Sequence, residues 1–73
     1  MSRLVSRTVD LTPRELEVMT WSARGKTYGE IATLLSIQED TAKFHIEHAR
    51  EKLNATNKTH AIALALSHGY IKL

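Results

Sequence analysis

The chain contains no cysteine. That excludes the disulfide staples of small secreted domains and fits a reducing compartment. No apolar run approaches about 18 residues, so no segment reads as a membrane span. The opening MSRLVSRTVD carries two arginines but no apolar stretch of the kind a signal peptide needs. Strong charge of either sign is missing too. Ten Lys and Arg against eight Asp and Glu leave a net +2, and a cut after Ser36 leaves five basic and four acidic residues on each side. A balance that slight favours nucleic acid only weakly. Enzyme machinery is equally scarce: there is no Cys nucleophile, no credible Ser–His–acid order, no phosphate loop and no metal cluster. An enzyme is therefore the least supported class, and no cofactor is expected. Strand patterns, repeats and low-complexity segments are absent, and 73 residues suffice for one domain with a thin core.

What the chain does have is helical periodicity, clearest from Tyr28 to Glu47. This stretch reads as a short helix, a break at Ser36-Ile37 and a longer helix. At about 100° per residue, Ala42, Ile46, Ala49 and Leu53 fall on one side of the longer helix, with His45 at the border. Phe44 and Glu47 point the other way, among Asp40, Lys43, His48 and Glu51. A helix that buries small aliphatics and shows a Phe to solvent is presenting something, and the pattern is that of a helix-turn-helix over 28–47.

Around it the chain predicts an all-α fold of four helices, at about 13–24, 28–35, 39–53 and 58–68. Thr12, Pro13 and Glu15 form a capping box with proline in the first turn, flanked by Leu11 and Leu16, and Gly25 ends that helix. Thr27 and Glu30 make a second capping box. Gly29 in that first turn costs helix propensity, and simple tolerance there competes with close approach of a partner. Glu39 and Asp40 open the third helix, Arg50 and Lys52 close it, and Asn54 suits a left-handed position after it. Asn57 caps the fourth helix and Gly69 stops it. Residues 1–10 read as a flexible leader or linker remnant; Arg3 and Arg7 could reach a phosphate backbone but suit a solvated tail better.

The fourth helix is apolar on two sides, Ile62, Ala63 and Leu66 on one and Ala61, Leu64, Ala65 and His68 on the other. One side can enter the domain's own core. The second, taken as Ala61, Leu64, Ala65 and His68, suits a two-fold homodimer; the competing reading is that alanines are simply good helix formers. His45 and His48, three apart, invite a metal reading. No cysteine supports it, and Glu47 is out of H-E-x-x-H register, so a structural histidine and no metal site is the expectation.

The chain resembles the LuxR-type helix-turn-helix domain, of the LuxR/GerE/NarL group, over residues 11–72. The matching residues are LTPRELEV at 11–18, W-x-A-x-GKT at 21–27, EIATLL at 30–35, TAKFH at 41–45, KL at 52–53 and NKTHAIALALSHGYI at 57–71. The W-x-A-x-GKT and NKTHA phrases are most similar to the quorum-sensing branch. The resemblance implies that 11–73 is a DNA-binding domain of a bacterial transcription regulator, cytoplasmic and nucleoid-associated, acting as a homodimer on an inverted-repeat operator in double-stranded DNA. It implies the third helix in the major groove. Lys43 would then donate to guanine or phosphate, Phe44 pack on a thymine methyl, Glu47 accept from cytosine N4, and Asp40 face the bases beside them. Phosphate contacts fall to Lys26, Thr27, Thr41, His48, Arg50 and Lys58. An interaction module docking RNA polymerase or another regulator through the fourth helix is the alternative. The chain departs from the family pattern at Ser36, where the turn usually has Gly. Gln38 replaces a Ser or Thr cap, Ala42 a common Val, and Glu47 a basic or small polar residue.

Overall fold

A computed structural model describes residues 9–73, and Arg3, Arg7 and most of the expected leader lie outside the described residues. Four helices follow in order: α1 (Pro13–Ala23), α2 (Tyr28–Leu35), α3 (Glu39–Lys52) and α4 (Lys58–Ser67), with no strand among the described residues. Both capping boxes form. The Thr12 hydroxyl accepts from the Glu15 amide at 3.1 Å while Glu15 Oε1 accepts from the Thr12 amide at 2.9 Å. Thr27 and Glu30 repeat the arrangement at 3.1 and 2.8 Å. Asn57 Oδ1 caps α4 by accepting from the His60 amide. Gln38, which lacks the short polar side chain a cap needs, makes no cap bond at α3.

All four helices end alike. A left-handed residue, Gly25, Ser36, Asn54 or Gly69, turns the chain. The amide after it then reaches five residues back: Lys26 to Trp21, Ile37 to Ala32, Ala55 to Arg50 and Tyr70 to Ala65, at 2.9–3.1 Å. This is the Schellman closure. It ends α1, α3 and α4 one residue earlier than periodicity alone suggests, because Arg24, Leu53 and His68 already belong to the caps. Glycine would be the unstrained choice at such a position; Ser36 takes φ 57° and ψ 46° in the helix-turn-helix itself.

The core is small and centred on α3, which packs against the other three helices. Val18 and Met19 from α1, Ile31 from α2, Ala42, Ile46 and Ala49 from α3, Ala61 and Ala65 from α4, and Ile71 close on one another. Met19, Ile31 and Ile46 are its largest fully buried apolar side chains, at about 1.5–3 kcal/mol each. Two sequence expectations change here. Ala61 and Ala65 are 1% and 0% exposed, so half of the expected dimer surface is the domain's own core. Their short side chains let α4 sit close to the body, leaving Leu64 half-buried and His68 exposed. Glu15, read only as a cap, is also a buried charge.

That carboxylate is 2% exposed. Besides the Thr12 amide it meets Lys52 Nζ at 2.8 Å and, through its second oxygen, His48 Nδ1 at 3.6 Å. Burial alone would raise its pKa; the Lys52 hydrogen bond and the Thr12 amide outweigh burial and hold it below the ordinary carboxylate value. Lys52 Nζ also donates to the Asp10 carbonyl at 2.9 Å.

Candidate nucleic-acid interface

Ala42, Ile46 and Ala49 are buried, Thr41, His45 and Arg50 flank them half-buried, and the opposite side of α3 faces outward. Phe44 remains 55% exposed at the centre of that surface, and Asp40, Lys43, Glu47 and His48 are exposed around it. The Phe44 ring is held on both sides. His48 lies 4.2 Å away centroid to centroid, tilted, and His45 meets its edge at 5.9 Å. His48 in turn touches the Glu15 carboxylate, so a buried charge on α1 braces an exposed aromatic on α3 through one imidazole. The two histidines thus have structural company, and no metal-holding cluster occurs among the described residues.

Glu47 already has one of its carboxylate oxygens engaged. Arg50 Nε binds its Oε1 at 3.1 Å, while Arg50 Nη1 donates to the Ala55 carbonyl at 2.9 Å. Arg50 therefore ties the end of α3 to the loop before α4, and its guanidinium is engaged inside the protein. Thr27 is occupied by its own capping box. Thr41 is half-buried, whereas Lys26 and Lys58 stand exposed.

Sequence reasoning did not single out Tyr28. Its ring lies under Lys58 Nζ, 4.5 Å from the centroid, with Lys43 Nζ at 5.9 Å. The first turn of α2, the outward half of α3 and the start of α4 thus meet at one aromatic face. Burial, followed by the nearby Glu47 carboxylate, raises the phenol pKa and keeps the ring neutral. The Arg50–Glu47 and Phe44–His48 pairs, three and four apart on one helix, were open to a spacing rule. The Tyr28–Lys58 and Glu15–Lys52 contacts join distant segments. Beyond α4's start, a groove of about 450 Å³ runs between α1 and α4, floored by Ala23, Ile62, Ala63 and Leu66.

The profile of the family described as "Bacterial regulatory proteins, luxR family" matches residues 9–65. The quorum sensing-dependent transcriptional regulator RpaR of Rhodopseudomonas palustris is 52% identical over 63 residues, covering 86% of this chain and 26% of that protein. The quorum-sensing regulator RhlR of Pseudomonas aeruginosa is 47% identical over 68 residues, covering 93% and 28%. The chain spans about a quarter of the length of these curated relatives. Among solved structures, the Vibrio VqmA–ligand–DNA complex superposes with a TM-score of 0.82 at 32% identity, over 100% of this chain and 32% of that one. A phage VqmA–DPO complex superposes at 0.80 with 37% identity, over 89% and 30%. The outward-facing α3 and the match across nearly all its helices converge: the chain belongs to the LuxR family of bacterial regulatory proteins and carries that family's helix-turn-helix DNA-binding domain.

Proposed function

We propose that the domain spanning 11–73 binds an inverted-repeat operator in double-stranded DNA as a homodimer, with α3 in the major groove, within a quorum-sensing regulator of the bacterial cytoplasm. The observation that carries this reading is the divided α3, which buries its alanines and isoleucine and leaves Phe44 exposed among polar neighbours. Lys43, Phe44, Glu47 and Asp40 are the base-facing set. Lys26, Lys58, Thr41 and the start of α2 supply phosphate contacts. His48 and Arg50 act from beside them, bracing Phe44 and Glu47. For the dimer, the buried Ala61 and Ala65 shift the pairing surface to the apolar flank of Ile62, Ala63 and Leu66, which remains open along the α1–α4 groove. A docking surface for RNA polymerase or another regulator is the second reading of that groove.

Selection of bound duplexes from a random pool, at low and high salt, tests the proposal. An enriched motif with half-sites about one helical turn apart, and affinity that falls steeply with salt, is the expected result. A pool with no enriched motif overturns it. Replacing Leu66 with Asp should leave base preference intact while reducing two-copy occupancy of the selected site.

A further inference from the structure

Tyr28 stands apart from the residues already given roles. It belongs to α2, the helix that positions rather than reads, yet its face lies under one lysine from α3 and another from α4. We propose that the Tyr28 ring is a positioning platform that holds Lys58 extended toward the DNA backbone and Lys43 toward the bases, so that both ammonium groups are ordered before the duplex arrives. The inference rests on the DNA reading and adds a residue to its machinery.

Three observations converge on it. Lys58 Nζ at 4.5 Å and Lys43 Nζ at 5.9 Å both lie within reach of the ring's negative face, where an ammonium is attracted. Neither lysine makes a salt bridge among the described residues, so the ring is the partner they share. Tyr28 itself is half-buried and fixed in the first turn of a capped helix, which makes it a rigid support. A free lysine side chain samples many rotamers and must give up that freedom on binding. A ring that has already restricted two of them lowers that cost while leaving both charges available to the duplex. The platform also joins α3 to α4, so the reading helix and the backbone-gripping helix start share one reference point.

The ring, not the hydroxyl, does this, and that separates the variants. In the free protein, ring current should move the ε-methylene proton signals of Lys58 upfield of those of the exposed Lys72. Tyr28→Phe should keep the displacement and Tyr28→Leu abolish it. On a random-sequence duplex of about 30 base pairs, followed by fluorescence anisotropy, Tyr28→Phe should bind within about twofold of wild type. Tyr28→Leu should bind about threefold to tenfold more weakly, and most of that loss should vanish in a Lys58→Ala background. The platform is overturned by undisplaced Lys58 signals in wild type. It is also overturned if the Phe variant binds as weakly as the Leu variant, or if the Leu substitution costs the same with and without Lys58. A wild-type protein with displaced Lys58 signals that binds no duplex would sink the DNA reading instead.

Discussion

Glu47 has two claims on its carboxylate: Arg50 in the free protein and, in the proposed complex, the amino group of a cytosine. A carboxylate facing DNA is repelled by phosphate unless it reads a base, so its effect should fall on selectivity. Glu47→Ala should redistribute preference among operator variants more than it changes mean affinity; a uniform change measured across the variants would refute that role. Lys43→Ala should cost roughly 1–3 kcal/mol on the selected operator if the lysine makes a bidentate base contact, as titration by anisotropy would read. Glu15 makes a prediction about pH. Its folded carboxyl titrates below the ordinary value of 4.5, so its stabilisation is present above that value and is lost as pH falls through the lower folded pKa. Glu15→Gln should therefore be less stable than wild type at neutral pH, by about 1–3 kcal/mol for a lost charge-assisted bond. Urea melts should show that gap closing as wild type is acidified toward pH 3. At this scale the sequence was only partly legible. The periodicity of Ala42, Ile46 and Ala49 announced the exposed Phe44. Nothing local joined Glu15 to Lys52, 37 positions away.

Helix ends carry the readable information at the next scale up. Thr12, Thr27 and Asn57 are caps because of short side chains that reach their own amides. Such local chemistry can be read from a few adjacent letters, as can the turns at Gly25, Asn54 and Gly69. The fourth helix was harder: both its sides are apolar, and choosing which one enters the core requires knowing where α1 and α3 lie. Hence Ala61 and Ala65 were assigned outward and are found inside. Among the described helices, α3 alone lacks a side-chain cap. Gln38→Thr should supply the missing acceptor and stabilise the domain by about 1 kcal/mol. That is a rise in melting temperature of about 4–8 °C for a chain of this size. Gln38 already holds the extended backbone of a cap, at φ −76° and ψ 152°, so calorimetry showing no rise would refute the missing side-chain acceptor as a weakness of the domain.

Taken whole, the molecule has little apolar volume to spare. Its ten-residue core includes five alanines, and the larger side chains are few. Stability of roughly 4–11 kcal/mol is expected from chain length, so Ile46→Ala, at about 2–5 kcal/mol, should remove a large share of it and lower the melting temperature by at least about 8 °C by circular dichroism. An unshifted melt would show that neighbouring residues close the cavity. One contact governs how this body can be attached to anything else. Lys52 grips the Asp10 carbonyl, nine residues and about 14 Å along α3 from Lys43. Asp10 is thus held at the end of α3 away from the half that the proposed complex sets in the groove, like a handle fixed to the back of a tool. Bulk joined to that handle need not stand between α3 and a duplex. A pull on it, however, reaches α3 through the Lys52 ammonium as well as through α1, which packs on the same helix.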